Sequence, residues 1–149
     1  MKAVTLYQPY ASLVAIGAKK FETRSWKTSY RGPLAMHAGI SKKYLDLGWQ
    51  EPFFSALSPL HKFGEDGGMS LMWWLGYVVA TCDLVDCIEI TPDFIESLTR
   101  EEICFGDYTL GRYAWDLENV KQLEKPIPTK GKQGLWILPE EIEAIITHE

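Results

Sequence analysis

The sequence contains little cysteine, and its cysteines follow neither a metal-binding nor a disulfide pattern. Cys82, Cys87 and Cys104 are an odd number of thiols, and no Cys-x-x-Cys spacing occurs. Zinc knuckles need that spacing, and disulfide frameworks usually have an even number. No apolar run approaches the roughly 20 residues that span a bilayer, and no signal-peptide pattern follows the first residue. We therefore expect a reduced, cytoplasmic protein with no metal, no cofactor and no membrane partner.

Basic charge is also in short supply. The 149 residues include 15 Lys and Arg against 20 Asp and Glu, which gives a formal net charge of −5. Proteins that wrap duplex DNA neutralise many phosphates and are usually basic, so the sequence argues against that class. Hydrophobic residues make up 46% of the chain and include six Trp, which is enough to build a core. The length predicts one domain over residues 1–149.

The basic residues that are present fall into two segments. Residues 17–43 contain seven Lys and Arg against one acid, Glu22, and residues 121–132 contain four Lys against Glu124. Two such segments can converge and form an anion-attracting patch on an acidic body. The alternative is that both are ordinary solvated loops. Residues 130–134 are basic and glycine-rich but lack Walker spacing, so at most they form a flexible backbone clamp for a phosphate.

Hydrophobic periodicity predicts an α+β fold. Two-residue alternation and β-branched residues predict strands over residues 3–7, 20–26, 34–37, 75–87, 113–120 and 135–138. Helical spacing and capping residues predict helices over 9–17, 41–50, 91–98 and 139–147 and a loop over 58–68. Gly17 is expected to end the first helix in the left-handed conformation, and a further helix starts at Thr99, with Glu102 in the capping-box position. This order predicts a small mixed or antiparallel β-barrel with a helix between strands one and two and further helices at its periphery.

Lys19, Glu22 and Arg24 are the main candidate binding residues. Lys19 follows the first predicted helix, whose dipole favours a cation at that end. Glu22 and Arg24 lie two residues apart on a predicted strand, so Glu22 can orient the guanidinium. A fixed guanidinium binds phosphate through two hydrogen bonds or stacks on a base, and a carboxylate can accept from the amino group of cytosine or adenine. The alternative is an exposed charge pair of little energetic value.

Five further residues are candidates for the same cleft. Gln8 stands at a strand-to-helix corner, where its amide could hydrogen-bond a base edge. Tyr10 and Trp26 could stack on a base, although core packing is the commoner role of a single aromatic residue. Arg31 lies in a predicted turn, where it can bind phosphate or a turn carbonyl. His37 ends a strand and is either a packed rim residue or a proton shuttle.

Three stretches of the chain resemble the ASCH domain family (activating signal cointegrator homology). Residues 6–13 are Leu-Tyr-Gln-Pro-Tyr-Ala-Ser-Leu, residues 17–24 are Gly-Ala-Lys-Lys-Phe-Glu-Thr-Arg, and residues 30–38 are Tyr-Arg-Gly-Pro-Leu-Ala-Met-His-Ala. The second stretch resembles the core motif Gly-x-Lys-x-x-Glu-x-Arg of that family. The resemblance implies a PUA-like fold with a cleft beside the first helix.

The resemblance implies two alternative functions for this cleft. The first is a non-enzymatic module that binds RNA or a modified nucleotide. The second is a hydrolase of modified nucleosides or RNA, either amidohydrolase-like or ribonuclease-like. One branch of the family resembles N(4)-acetylcytidine amidohydrolase, which implies Lys19 as the catalytic residue; the position three residues later, a threonine in that branch, is Glu22 here. In the hydrolase hypothesis Lys19 is the base or activated amine and Glu22 is its partner. A lysine acts as a base only if its pKa is lowered towards roughly 7–8. A protein-interaction surface built on the tryptophans is a third possibility, and no pattern specifies an oligomeric state.

Overall fold

The computed structural model describes residues 1–148. Eight strands are present in this part of the chain: β1 (Lys2–Leu6), β2 (Phe21–Arg24), β3 (Gly32–Ala38), β4 (His61–Phe63), β5 (Met69–Leu71), β6 (Tyr77–Glu89), β7 (Tyr113–Pro128) and β8 (Leu135–Ile137). Five α-helices accompany them: α1 (Tyr10–Ala15), α2 (Phe53–Ala56), α3 (Pro92–Glu96), α4 (Arg100–Cys104) and α5 (Glu140–Thr147). The α+β class expected from the sequence is confirmed.

Six of the strands form one curled sheet, a half-barrel, in the order β2-β7-β6-β3-β1-β8. Strands β1 and β3 run parallel, and the other neighbouring strands are antiparallel. A parallel pair needs a crossover connection, which α1 and β2 supply. Strands β4 and β5 form a separate hairpin.

The sheet buries apolar side chains on both faces. Val4 and Leu6 of β1 alternate with Ala3, and the two sets belong to different apolar clusters. Helix α1 covers the first face with residues such as Val14. Helix α5 packs against the second face through Ile142 and Ile146. Each fully buried aliphatic side chain contributes about 1.5–3 kcal/mol, and this packing holds the strands that carry the candidate site residues.

The end of α1 places Lys19. Gly17 has a φ of 82°, the left-handed conformation that the sequence predicts for a glycine closing this helix. The amide groups of Ala18 and Lys19 both donate to the Leu13 carbonyl, at 2.9 and 3.1 Å. These bonds turn the chain back beneath the helix before β2 begins, and the Lys19 side chain enters the interior.

The segment between β3 and β6 differs from its prediction. The helix expected over 41–50 is only a short 3-10 helix (Leu45–Trp49), and the expected loop over 58–68 contains a second one (Ser58–Leu60) and β4. Gly48 packs tightly here, because a Cβ at this position would lie 3.0 Å from side-chain atoms of Leu71 and Trp73. Tertiary packing thus replaces the helical preference of the segment.

Strand β7 is also longer than predicted. It continues past residue 120 to Pro128, because β6 pairs with it along its whole length, from Tyr77↔Pro128 to Glu89↔Tyr113. Asn119, with a φ of 53°, and three register shifts bend the pair. Most of the second basic segment therefore belongs to a strand.

Candidate functional site

Lys19 is a buried cation without a hydrogen-bond partner. Its side chain is 1% exposed, and within residues 1–148 its ammonium group forms no hydrogen bond. Nζ lies 4.0 Å from Oε1 of Glu22 and 5.9 Å from the centre of the Tyr10 ring. Burial lowers the pKa of Lys19, while the nearby carboxylates of Glu22 and Glu102 oppose that shift. A buried amine that forms no hydrogen bond to its counter-charges is costly for folding, so this residue type at this position points to a role beyond packing.

Glu22 holds the Arg24 guanidinium in place. Its Oε2 accepts from Nε of Arg24 at 3.0 Å and lies 2.9 Å from Nη2. The Nη2 group also donates to the Thr5 carbonyl at 3.0 Å, and the guanidinium carbon lies 5.9 Å from the centre of the Trp115 ring. The orientation of Arg24 by Glu22 that the strand spacing predicts is therefore present.

Glu102 is a second buried carboxylate beside this group. Its Oε1 accepts from the Lys20 amide at 2.8 Å, and its Oε2 accepts from the Tyr108 hydroxyl at 3.1 Å. The sequence assigns Glu102 only to the capping of α4, where its own amide donates to the Thr99 hydroxyl at 3.1 Å. The carboxylate joins α4 to the start of β2 and so fixes the turn that carries Lys19.

Two cavities meet at Arg24. The first, about 400 Å³ in volume, is the tyrosine chamber, lined by three tyrosines together with charged residues. The second, about 620 Å³, is the loop chamber, lined in part by residues 129–134. Thr5, Leu6, Tyr7 and Arg24 line both cavities. Both volumes lie within the range of small-molecule binding sites, roughly 300–1,000 Å³.

Three tyrosine rings line the tyrosine chamber and pack against one another. The Tyr44 ring meets the edge of Tyr7 with ring centres 4.9 Å apart, and its centre lies 6.1 Å from that of Tyr10. The ammonium group of Lys43 lies 5.2 Å from the centre of the Tyr44 ring. Burial raises the pKa of the Tyr10 hydroxyl, so Tyr10 is neutral at physiological pH.

His37 anchors the loop chamber. Its Nε2 lies 2.7 Å from the Thr129 carbonyl, which can only accept, so Nε2 carries a proton. Its Nδ1 lies 3.2 Å from the Thr5 hydroxyl, which in turn accepts from the indole N–H of Trp136 at 3.1 Å. Burial lowers the pKa of His37 and so favours the neutral ring. Both nitrogens are occupied, which suits an anchor better than the proton shuttle considered from the sequence.

The comparisons with known proteins agree with this architecture. A family model described as "ASCH domain" matches residues 4–127. The chain belongs to the ASCH domain family. It is 26% identical over 141 residues to human "Activating signal cointegrator 1", a match that covers 93% of this chain and 22% of that protein. The chain therefore spans less than a quarter of this curated relative.

Two solved structures from Zymomonas mobilis share the ASCH fold. One is the crystal structure of an ASCH protein, and the other is that of a mutant in which a tyrosine is replaced by phenylalanine; both have a TM-score of 0.57 and 12% sequence identity to this chain. Each match covers 99% of this chain, with 93% of the first structure and 96% of the second. At this identity the likeness shows the fold alone. The PUA-like architecture expected from the sequence motif is confirmed.

Most of the site residues predicted for this ASCH domain lie around the two chambers. Glu22 and Tyr10 line the tyrosine chamber, Trp26 and His37 line the loop chamber, and Arg24 lines both. Lys19 lies behind the wall formed by Tyr10 and Glu22 and contacts both of them.

Gln8 and Arg31 lie elsewhere in this ASCH domain. Gln8 is fully buried and lines neither chamber; its Oε1 accepts from the Ser12 amide at 2.9 Å. Arg31 donates to the carbonyls of Thr28 and Tyr30 at 2.9 and 2.8 Å and lies 3.7 Å from Asp86. This is the turn-stabilising role that was the alternative to phosphate binding.

The two basic segments converge only in part. Arg24 comes from the first, and Lys130 and Lys132 of the second line the loop chamber. The sequence did not single out Arg112, which lines the tyrosine chamber and lies 3.5 Å from Asp107. No local pattern marks it, because its position depends on the pairing of β7 with β2, about 90 residues earlier in the chain.

Neither a metal cluster nor a membrane-spanning helix is found in the described part of the chain. Within residues 1–148, no three His, Cys, Asp or Glu side chains are grouped as metal ligands would be. None of the helices there is long and apolar enough to cross a bilayer.

Proposed function

We propose that this ASCH domain binds RNA or a single, modified or unmodified, nucleotide in the cleft formed by the tyrosine chamber and the loop chamber. Family membership makes RNA binding plausible for the chain. The observation that carries the proposal is the position of Arg24, a guanidinium fixed by Glu22 at the boundary between an aromatic cavity and a cationic one.

The chemistry of the cleft fits a base and its backbone. Stacking of a base on an aromatic side chain contributes about 1–3 kcal/mol, and Tyr44 has partners on two sides that hold its ring. A guanidinium that is already oriented loses little entropy on binding phosphate or a base edge. Because the net charge is −5, the electrostatic attraction of phosphate is confined to this cleft. A single strand or a single nucleotide therefore fits better than a long duplex, which needs a more extended basic surface.

The test is the binding of a fluorescently labelled single-stranded RNA of mixed sequence, measured by anisotropy at several salt concentrations. Tyr44→Ala is expected to weaken binding roughly 5- to 150-fold, the loss of one stacked base. Phe63→Ala is the matched control, because Phe63 is 74% exposed on the β4–β5 hairpin and lines neither chamber. Absence of salt-sensitive binding by the wild type, or equal losses in both variants, would contradict the proposal.

A hydrolase that uses the same cleft is the second candidate, favoured by one observation. Burial lowers the pKa of Lys19, so its amine is more easily deprotonated than that of an exposed lysine, although Glu22, 4.0 Å away, opposes this shift. Incubation with acylated cytidines and with RNA, followed by chromatography of the products, tests this reading. Turnover that is lost in Lys19→Met and rises with pH in the wild type would support the hydrolase. Binding of RNA without turnover of any substrate would exclude the hydrolase and leave the binding domain as the remaining candidate.

A further inference from the structure

The basic residues that line the tyrosine chamber are paired with acidic residues that also line it. The chamber contains two arginines, Arg24 and Arg112, and two carboxylates, Glu22 and Asp107. Arg24 bonds Glu22 at 2.9 Å, and Nε of Arg112 lies 3.5 Å from Asp107. The paired charges leave the aromatic surfaces as the main contact available to a ligand. Such a surface suits a planar, uncharged nucleobase.

The loop chamber has the opposite character. Lys130, Lys132 and Arg24 line it, and among the residues that the structure describes no carboxylate does. Neither lysine forms an ion pair with any described residue. Two lysines without opposing acids attract an anion into the cavity that they line.

The backbone of the loop offers further donors. Residues 130–134 lie outside helices and strands, and their amide groups donate to no acceptor within the described 148 residues. Gly131 packs so closely on the sheet that a Cβ there would lie 2.6 Å from Cε1 of His37. His37 also holds the Thr129 carbonyl at the start of the loop. A fixed loop with unpaired N–H groups beside lysines is a typical anion-binding concavity.

We propose that the ligand carries a phosphate that binds in the loop chamber while the attached base occupies the tyrosine chamber. This inference rests on the proposed function and names its ligand class: a nucleoside phosphate, either a free nucleotide or one unit of a single strand, rather than an unphosphorylated nucleoside. Arg24 lines both chambers and lies where the base and the phosphate are joined.

The experiment compares ligands that differ only in the phosphate. The four ribonucleosides, their 5′- and 3′-monophosphates and a single-stranded RNA of about eight nucleotides, a length within the usual range of single-strand sites, are titrated into the full chain by calorimetry. Monophosphates are expected to bind at least about tenfold tighter than nucleosides, as charge-assisted bonds to phosphate are strong. In the Lys130→Ala/Lys132→Ala variant, monophosphates should bind no tighter than nucleosides. The RNA salt slope, which is the slope of the logarithm of the binding constant against the logarithm of the salt concentration, should fall in magnitude by about 1 for each lysine that contacts phosphate.

The control variant is Lys62→Ala/Lys121→Ala, which removes the same charge from two exposed lysines that line neither chamber. It should keep the preference for monophosphates and the RNA salt slope. Binding of monophosphates identifies a free nucleotide, and binding of the RNA alone, with the reduced slope in the loop variant, identifies a unit of a strand.

Two results overturn the inference in distinguishable ways. If nucleosides bind, and bind as tightly as monophosphates, or if the loop variant keeps the full salt slope and preference, the phosphate site is wrong while the proposed function stands. If the wild type binds none of the nucleosides, monophosphates or RNA, both the inference and the proposed function are wrong.

Discussion

Replacing Lys19 with methionine should stabilise the fold while it damages the site. The ammonium group is 1% exposed, and its nearest counter-charge, Glu22 at 4.0 Å, already bonds Arg24. Attraction at that distance is about 4 kcal/mol at an effective dielectric constant of about 20, and Glu22 shares its charge with Arg24, whereas removing an ammonium ion from water costs several kcal/mol. Methionine fills nearly the same volume without the charge, so Lys19→Met should raise the free energy of unfolding by about 1–3 kcal/mol. Each kcal/mol should raise Tm by about 2–4 °C.

The pH dependence separates this explanation from an unrelated gain in packing. Because burial lowers the pKa of Lys19 below 10.5, the unfolded chain binds more protons than the folded chain between the lowered pKa and 10.5. Wild-type stability therefore rises with pH across that window, relative to Lys19→Met. Urea unfolding of both proteins at pH 7 to 10 measures the difference. A variant less stable than the wild type, or a difference that does not shrink as pH rises, would refute the reasoning.

The loop after β7, the His37 ring and helix α4 each allow a further prediction. Gly131→Ala should cost about 1–3 kcal/mol, because its Cβ would lie 2.6 Å from His37, while Gln133→Ala on the exposed part of the loop should be nearly neutral in urea unfolding. Because burial lowers its pKa, the His37 ring should titrate below 6.5 by NMR. The free energy of unfolding should rise with pH between this lowered pKa and 6.5, because the unfolded chain binds more protons there. A midpoint above 6.5 would contradict the buried, neutral ring. Glu102→Ala removes the hydrogen bonds from the Lys20 amide and the Tyr108 hydroxyl, and each loss should lower the free energy of unfolding by about 1.5–3 kcal/mol. A Tm within about 1 °C of the wild-type value would contradict this prediction.

Local patterns predict the elements that a few neighbouring residues determine. The alternation of β2 places Glu22 and Arg24 on one face, and their ion pair is present. Gly17 ends α1 in the left-handed conformation, as its position after an apolar helical face predicts. The short hairpin β4–β5 escapes prediction, because its strands have three residues each and depend on one another for their hydrogen bonds.

The depth and the composition of the cleft depend on contacts distant in sequence. A lysine after a helix is ordinarily exposed, whereas Lys19 is buried where its amide and that of Ala18 donate to the Leu13 carbonyl. Glu102 and Arg112 reach the site from positions 82 and 89 residues further along the chain than their partners Lys20 and Thr23, so no spacing marks them. Arg31, for which the sequence leaves phosphate and a turn carbonyl as alternatives, donates to the carbonyls of its own turn.

The most direct test of the cleft is a chemical-shift map of the isotope-labelled chain titrated with single-stranded RNA. The amides of Arg24, Tyr44 and Gly131 should shift together and saturate with one dissociation constant, because they line the two joined chambers. The amides of Phe63 on the hairpin and of the exposed face of α5 should not move. Shifts confined to the hairpin or α5, or no shifts at RNA concentrations in the millimolar range where nonspecific binding already saturates, would contradict the account.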